Sequence, residues 1–390
     1  MKRATVIYLS PYDILRPRTN QVSDVRFTEG FSQNDCEAYF ICPFVDRKDN
    51  IDTADIDRIY GLTDPVHFRI LKTRFKQDVK GKWALMRIAA KSLPVIRSIL
   101  KSRNGKSPVY VISRSPFLLL PYLILRPAGF FRNATLVHWA HDVHQSKIAR
   151  WIYLKCDKLL ATNKSILDTI TRHSTNRFSP AQITLNPITE TQANAIPDRQ
   201  SARHLLGLDV DNKPLVVYTG KIGLNYSKEL EFILQASAAL PGVRFLLTGG
   251  TPHAVSHWKK YAEKIGANAD FTGYIHDYSR IHLYQQAADV LVSYYTHQGH
   301  DVRYNLPNKL CEYMLTGNII VCPDYPATRE LLTAENCHFV EPENAKALAE
   351  GIAWCLSNPE QSQQKAAVAA RQARQLTFRN ICSRILEIMP

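Results

Sequence analysis

Charged residues beside a predicted turn form the clearest candidate binding site in this chain. The stretch Leu306–Glu330 contains a proline-set loop, then a predicted short helix with Lys309 and Glu312 in its first turn, then a glycine and an apolar strand. A carboxylate in that position is well placed to accept hydrogen bonds from paired sugar or ribose hydroxyls. The helix dipole also favours an acid there, so an ordinary surface residue is the competing interpretation.

A second candidate site follows the strand predicted at Leu215–Tyr218. Gly220 and Lys221 stand in the loop after this strand, and Lys228 stands where the next helix is predicted to begin. Glycines let backbone N–H groups approach a phosphate, and lysines and a helix N-terminus add positive charge. Neither the G-x-G-x-x-G nor the P-loop pattern is present. An ordinary strand-to-helix turn with solvated lysines therefore remains the alternative.

Two weaker candidates also follow predicted strands. Tyr274 and Ile275 come after a short strand and are placed to hold a nucleobase by stacking and main-chain hydrogen bonds, although a turn with a packing tyrosine is the simpler interpretation. His141 and Asp142 end an apolar strand in the first half, where polar groups project toward a ligand.

No zinc site is predicted around the strand end that carries His141 and Asp142. The neighbouring histidines His138 and His144 need not face His141. We interpret His138 as a core histidine.

Strands alternate with helices along both halves, which predicts an α/β fold with parallel sheets. A length of 390 residues exceeds one ordinary core, so we predict two domains. Their expected limits are 1–192 and 193–370, with a last helix at 371–390 that packs back toward the first domain. Clear strand predictions in the first half are Thr5–Leu9, Ala38–Cys42, Val109–Ser113, Thr135–Trp139 and Lys158–Ala161.

The start of the sequence has too short an apolar run for a secretory signal, and no stretch is long and apolar enough to span a membrane. The eight cysteines are scattered without a C-x-x-C pair, which favours buried thiols in a reducing compartment. We therefore expect a cytoplasmic protein.

The net positive charge of the protein comes entirely from the first half of the sequence. Residues 1–190 contain 30 Lys or Arg and 16 Asp or Glu, whereas residues 191–390 contain 19 of each. Residues 67–106 hold twelve Lys or Arg against Asp78, mixed with bulky apolar residues at what we interpret as helical spacing. This pattern favours an anionic membrane surface over a solvated helix face. Nucleic acid is not expected, because no recognition motif accompanies the charge.

Taken together, these features resemble the retaining glycosyltransferases of family 4. That family has the GT-B architecture, in which two Rossmann-like domains face a central cleft. The family's basic loop resembles Tyr218–Lys221, and its second lysine resembles Lys228. Its P-x-K-x-x-E-Y-M-x-x-G stretch is similar to Pro307, Lys309, Glu312, Tyr313, Met314 and Gly317, and a later acid of the family is similar to Glu330. In the first half, the family's H-D pair is similar to His141-Asp142, and its N-P loop is similar to Asn186-Pro187.

The resemblance implies transfer of a sugar from a nucleotide-diphosphate sugar to an acceptor hydroxyl, with retention, by an enzyme of the hexosyltransferase type (EC 2.4). The donor would be a UDP-, GDP-, ADP- or dTDP-sugar, with no cofactor and no metal. The second domain would bind the donor and the first domain the acceptor. The implied roles are diphosphate binding by Gly220, Lys221 and Lys228, ribose binding by Glu312, base binding by Tyr274 and Ile275, a donor loop of Pro307, Asn308 and Lys309, and catalysis by His141, Asp142 and Lys228.

The sequence departs from the family pattern in two loops. Tyr304 stands where many members have a further glutamate, and His300, Asp301 and Arg303 are the candidates to serve in its place. The glycine-rich loop after the first strand is absent. Arg16 and Arg18 stand there instead and are candidates to meet an anionic sugar or acceptor.

The charge of the first half suggests a lipid-linked or envelope glycan as acceptor. Residues 67–106 would then hold the protein peripherally on the inner face of the cytoplasmic membrane. Three other functions remain open: a nucleotide-sugar epimerase or phosphorylase of the same architecture, a catalytically silent glycan-binding protein and, least favoured, a basic nucleic-acid-binding protein that would bind through residues 67–106.

Overall fold

The computed structural model describes residues 3–15, 19–45, 56, 59–73, 81–103, 107–172, 181–182, 187–189, 197–208, 213–224, 229–298 and 301–389. The chain divides into two compact units. The first unit comprises Met1–Thr184 and Phe378–Pro390, and the second comprises Leu185–Thr377.

Each unit is built on a parallel sheet. The strands are β1 Thr5–Leu9, β2 Glu37–Val45, β3 His67–Thr73, β4 Val109–Ser113, β5 Thr135–Ala140, β6 Lys158–Ala161, β7 Ala181–Gln182, β8 Leu215–Thr219, β9 Arg244–Thr248, β10 Ala269–Gly273, β11 Val290–Val292, β12 Ile319–Pro323 and β13 His338–Val340. In the described part of the chain, the first sheet has the order β3-β2-β1-β4-β5-β6-β7 and the second β10-β9-β8-β11-β12-β13.

Helices connect the strands, as parallel pairing requires. They are α1 Thr19–Ser32, α2 Lys82–Ser102, α3 Pro116–Leu125, α4 Lys147–Lys155, α5 Lys164–Thr171, α6 Arg199–Leu206, α7 Glu229–Ala238, α8 Pro252–Ile265, α9 Tyr278–Gln286, α10 Lys309–Thr316, α11 Ala345–Ser357, α12 Pro359–Ala373 and α13 Phe378–Ile388.

The central strands form the cores of both units. Every residue of β1, β4, β8 and β12 is buried. Strands covered by helices on both faces need continuous apolar runs, and such runs made these strands predictable from the sequence. The two sheets share the same pattern: the chain moves outward from β1 or β8 and then returns to the other side of that strand at β4 or β11. Ligands of such sheets bind where this reversal occurs, beyond the carboxyl ends of the strands.

Local signals fix the helices that border the second reversal point. Asp277 begins α9, because its side chain accepts a hydrogen bond from the Ser279 N–H at 2.9 Å. The predicted glycine stop ends α10 at Gly317, which has a left-handed φ of 69°. Glycine adopts this conformation more readily than residues that carry a Cβ, so Gly317 marks the end of α10 in the sequence.

The C-terminal helix α13 packs on α1 within the first unit. The Phe378 ring lies 4.9 Å from that of Phe27, and the Cys382 thiol donates to the Phe27 carbonyl at 3.3 Å. A Cβ at Gly30 would lie 2.8 Å from the Cys382 sulfur, so the glycine is what allows this close approach.

One prediction for the basic stretch 67–106 is wrong. Helical spacing was predicted throughout, but His67–Thr73 is the edge strand β3, paired with β2. Phe68 is buried between the exposed side chains of His67 and Arg69, whereas Leu71 is buried on the opposite face of the strand. Only Lys82–Ser102 forms the basic helix, α2. Residues 74–80 and 104–106 lie outside the described residues.

All eight cysteines are buried and free, as predicted. In the part of the chain that the structure describes, no helix combines the length and apolar character needed to cross a bilayer.

Candidate functional site

The carboxyl end of β8 lies at the reversal point of the second sheet, and side chains from α9 and α10 bind its last residue, Thr219. The Tyr313 hydroxyl accepts from the Thr219 N–H at 2.8 Å. The Gln285 amide donates to Thr219 Oγ1 at 3.2 Å, and the Lys309 ammonium donates to the Thr219 carbonyl at 3.0 Å. All three polar groups of Thr219 are therefore fixed, and with them the start of the loop that follows.

That loop packs directly on the loop after β9. The Gly220 N–H donates to the Thr248 carbonyl at 3.0 Å. Gly249 has a φ of 125°, and a Cβ there would lie 1.9 Å from the Gly220 carbonyl oxygen. A Cβ at Gly250 would lie 2.9 Å from Ile222 Cβ. Glycine is therefore required where the two loops meet, and backbone groups rather than side chains form this edge.

Glu312 is half-buried in the first turn of α10. Its Oε2 accepts a hydrogen bond from the Gln285 amide at 2.9 Å. Gln285 is fully buried, and its own carbonyl oxygen lies 3.0 Å from His282 Nδ1. A chain of three polar side chains thus leads from α9 to the carboxylate predicted to bind ribose.

Lys309 turns its ammonium inward, toward the end of β8. Its Nζ lies 3.8 Å from the centre of the Tyr218 ring. On the same tyrosine, the hydroxyl donates to Glu229 Oε1 at 3.2 Å. Burial lowers the pKa of Lys309 to about 7, against the opposing effect of Glu229 and Glu312. Burial raises the pKa of Glu229, which Lys309 and the tyrosine hydroxyl partly oppose.

The other predicted donor residues that the structure describes lie in loops that follow strands of the second sheet. Lys221 is exposed in the loop after β8, and Lys228 lies outside the described residues. Tyr274 and Ile275 follow β10; Tyr274 is 68% exposed, with its ring edge 4.8 Å from His276. These exposures leave Lys221 and Tyr274 accessible to a ligand.

The long loop before α10 is held by its own contacts. The Tyr295 hydroxyl donates to the Asn305 carbonyl at 3.1 Å. Pro307 begins a turn in which its carbonyl accepts from the Leu310 N–H at 3.1 Å. Asn308 precedes α10, but its side chain does not cap the helix.

Two of the residues proposed to replace the missing acid at Tyr304 bind each other. Arg303 Nη2 lies 2.8 Å from Asp301 Oδ2, and the guanidinium stacks over the Tyr304 ring at 5.0 Å. The hydrogen bond from Arg303 lowers the pKa of Asp301. His300 lies outside the described residues.

In the first unit, the structure separates the predicted pair His141 and Asp142. His141 Nε2 is buried, without a hydrogen-bond partner among the described residues, and the ring lies 5.6 Å from that of Trp139. Burial, with the charge of Arg114, lowers the pKa of His141 well below its ordinary value. Asp142 is exposed and lies 3.5 Å from His144. The two neighbouring side chains are therefore in different environments, one with a buried ring nitrogen and the other exposed.

The interpretation of His138 as a core histidine is confirmed. It is 1% exposed, its Nδ1 lies 3.1 Å from the Ser113 carbonyl oxygen, and burial lowers its pKa to about 3. Among the described residues, no group of three or more His, Cys, Asp or Glu side chains is placed to hold a metal ion.

The structure also shows an ion pair at this edge that the sequence analysis missed. Asp24 of α1 lies 2.7 Å from Arg114, the residue that follows β4, and both are buried. Tyr8 donates to the same carboxylate at 2.8 Å and Ser10 at 3.1 Å. Arg114 had the same signal as His141, a polar residue just after an apolar strand. Arg16 and Arg18 lie outside the described residues.

The residues that organise the second site were also missed. Gln285, Tyr313 and Glu229 are polar groups within predicted helices, where the sequence shows no loop or strand end to mark them. Only the Y of the E-Y-M stretch offered a hint, since Tyr313 follows Glu312.

Comparison with known proteins agrees with this location. Residues 213–358 match the family described as Glycosyl transferases group 1, and this range runs from just before β8 to the end of α11. No curated protein matches the sequence.

Several solved structures resemble nearly the whole chain. The sucrose-phosphate synthase of Thermosynechococcus elongatus is 15% identical with a TM-score of 0.71, over 98% of this chain and 97% of that one. Anabaena HepE in complex with UDP-glucose is 16% identical with a TM-score of 0.68, over 98% of both chains. The lipopolysaccharide outer core galactosyltransferase WaaB is 15% identical with a TM-score of 0.67, over 100% of this chain and 99% of that one.

These likenesses confirm the predicted fold, two Rossmann-like domains of the GT-B architecture. The match to the family described as Glycosyl transferases group 1 lies within the second unit.

Proposed function

We propose that this protein transfers a sugar from a nucleotide-diphosphate sugar to an acceptor hydroxyl, and that its second unit binds the donor. One observation carries the proposal: the glycine loop after β8 and the Glu312 carboxylate meet at the sheet's reversal point, joined through Thr219 and Gln285. This junction lies within the range that matches group 1 glycosyl transferases. A loop suited to phosphates and a carboxylate suited to ribose are thus held together on one edge.

The proposed donor contacts follow from chemistry. Gly220 offers backbone approach to the diphosphate, Lys221 and Lys228 supply positive charge, and Glu312 accepts from ribose hydroxyls. Tyr274 and Ile275 would contact the base. The lysines and the N-terminus of α10 would stabilise the charge on the leaving diphosphate, so we propose that no metal is needed. Activity undiminished by a chelator would support this, and loss restored by a divalent cation would overturn it.

For the transferred sugar, we propose His141 as a hydrogen-bonding residue. Its lowered pKa keeps the imidazole neutral, which suits a hydroxyl better than an anion. Retention of configuration, membership of family 4 and a hexosyl donor rest on the sequence resemblance. We take uridine as the first base to test, because HepE was solved with UDP and with UDP-glucose.

Binding measurements test the donor site. We expect one nucleoside diphosphate among UDP, GDP, ADP and dTDP to bind the folded protein in calorimetry. Glu312→Ala should weaken that binding about tenfold or more, the cost of losing hydrogen bonds to a charged acceptor. Glu263→Ala, an exposed acid on α8, is the matched control and should leave affinity unchanged. Absence of binding to all four would overturn the proposal.

We further propose that the first unit docks on an anionic membrane, where it meets a lipid-linked or envelope glycan. Between residues 82 and 155 the sequence has thirteen Lys or Arg and one acid, Asp142. The exposed face of α2 carries Trp83, 81% exposed, and four cations: Arg87, Lys91, Arg97 and Lys101. Exposed Ile148 and Trp151 on α4 add apolar groups among further cations. This surface extends beyond the stretch 67–106 and would lie on the inner face of the cytoplasmic membrane.

Vesicle binding tests the membrane proposal. The protein should sediment with phosphatidylglycerol vesicles and not with phosphatidylcholine vesicles. Lys91→Gln with Lys101→Gln should weaken binding about tenfold or more, at ~1 kcal/mol for each charge. Lys259→Gln with Lys260→Gln, two exposed lysines of the second unit, is the control. Equal loss in both pairs would show that only net charge matters and would remove the docking surface.

A further inference from the structure

The residues proposed to bind the donor belong to different structural elements, so a further side chain is needed to fix these elements relative to each other. The diphosphate loop follows β8, whereas Glu312 belongs to α10. The Gln285 amide nitrogen reaches both, at 3.2 Å from Thr219 Oγ1 and 2.9 Å from Glu312 Oε2. We propose that Gln285 is a positioning residue that orients the Glu312 carboxylate for a ribose diol, an inference that rests on the proposed function.

The Gln285 side chain has a single orientation in this network. An amide nitrogen has two N–H donors, and Thr219 and Glu312 take both. The amide oxygen lies 3.0 Å from His282 Nδ1. The backbone is held as well, because the Asn318 amide donates to the Gln285 carbonyl at 3.1 Å. With its side chain and main chain both fixed and fully buried, Gln285 offers a rigid donor to one carboxylate oxygen.

The neutrality of this donor matters for recognition. A lysine or arginine at the same place would neutralise Glu312 and compete with ligand hydroxyls for its oxygens. An amide orients the carboxylate and leaves it negative, because it brings no charge. Lys309, which stands three residues before Glu312, donates its ammonium hydrogen bond to the Thr219 carbonyl. The site therefore favours a ligand that donates two adjacent hydroxyls, that is, a ribonucleotide rather than a 2′-deoxyribonucleotide.

The measurement is the affinity ratio between the tightest-binding ribonucleoside diphosphate, UDP in the first instance, and its 2′-deoxy form. We expect the wild type to prefer the ribonucleotide about tenfold, the value of one hydrogen bond to a charged acceptor. Gln285→Met removes both hydrogen bonds at similar volume and should reduce this preference to that of Glu312→Ala. Adding Gln285→Met to Glu312→Ala should cause no further loss, because the amide acts through the carboxylate.

Gln286→Met is the matched control. Gln286 is also buried at the end of α9, but its amide donates to the Thr316 carbonyl at 3.1 Å, away from Glu312. It should keep the wild-type preference even if stability falls. Thr219→Val, which keeps the side-chain shape and removes one of the two anchors of Gln285, provides a second variant should Gln285→Met not fold. Thr219→Val should also lower the preference for the ribonucleotide over its 2′-deoxy form.

The outcomes separate this inference from the proposed function. If Glu312→Ala weakens binding while Gln285→Met and Thr219→Val keep the wild-type preference, only the positioning role is overturned. If the loss of affinity caused by Gln285→Met adds in full to the loss caused by Glu312→Ala, the positioning role is also overturned. If Glu312→Ala changes nothing, the ribose contact fails and both proposals fall.

Discussion

The carboxyl edges of the two sheets share a strand order but treat their charges differently. In the first unit, Asp24 and Arg114 bind each other directly and are both buried. In the second unit, the neutral side chains of Tyr218 and Gln285 contact the charged groups Lys309, Glu229 and Glu312. The first pair neutralises itself and holds α1 to the sheet. The second arrangement places a neutral amide beside the Glu312 carboxylate. On the function proposed above, one edge therefore serves stability and the other serves binding.

The largest effect should come from breaking the buried pair of the first unit. Asp24→Asn leaves the Arg114 charge buried without compensation, which should lower the unfolding free energy of the first unit by about 3–5 kcal/mol. Chemical denaturation followed by hydrogen exchange of the β1 and β4 amides would measure this. Asp157→Asn, at the more exposed pair with Arg126, should cost about 1 kcal/mol or less. Equal losses would show that the buried pair has no special structural role.

Gly249→Ala is a comparable test of stability at the carboxyl edge of the second sheet. The added Cβ meets the Gly220 carbonyl and the backbone has a φ of 125°, so we expect a loss of about 3 kcal/mol from overpacking and strain. Nucleoside diphosphate affinity should fall as well, because the loop is displaced. Gly266→Ala also has a positive φ but no atom within 4 Å, and should cost about 1 kcal/mol with affinity unchanged. Retained affinity in Gly249→Ala would separate this loop from the binding site.

Lys309 should make the stability of the second unit depend on pH. Its folded pKa of about 7 lies below that of the unfolded chain, near 10.4. Between these values the unfolded chain binds the extra proton, so stability rises with pH. From pH 7 to pH 9.5, the wild type should gain about 3 kcal/mol relative to Lys309→Met in denaturation experiments. Parallel curves for the two proteins would contradict the lowered pKa.

The smallest effect is expected in the loop that departs from the family pattern. Arg303 and Asp301 form an exposed pair, which solvent and salt screen. Arg303→Gln should therefore leave the melting temperature and nucleoside diphosphate affinity unchanged, and Asp301→Asn should match it. A fall in diphosphate affinity for Arg303→Gln alone would bring this residue into the donor site.

The strands were predictable where burial alone decides their sequence. The bounds of Thr5–Leu9, Val109–Ser113 and Lys158–Ala161 were predicted to the residue. Helix α1 was missed because Gln21, Asp24 and other polar residues are buried in it, so it has little amphipathic pattern. Edge strand β3 was taken for helix because its exposed face is basic.

The candidate site was predictable only in part. Glu312 and Gly220 lie at element ends, where sequence marks a site. Gln285 is 66 positions from Thr219 and 27 from Glu312, and its role exists only through tertiary contacts with both. Similarly, no local pattern shows that Lys309 turns inward, since its direction depends on the Tyr218 ring and the Thr219 carbonyl.

The packing of α13 on α1 has a consequence for how the protein is made. The second unit is one continuous segment, Leu185–Thr377, inserted into the first. On the ribosome, the whole second unit emerges before Phe378 and Cys382, so α1 lacks the contacts that these two residues make with Phe27 and Gly30 until then. The first unit therefore requires a segment that is synthesised after the whole of the second unit.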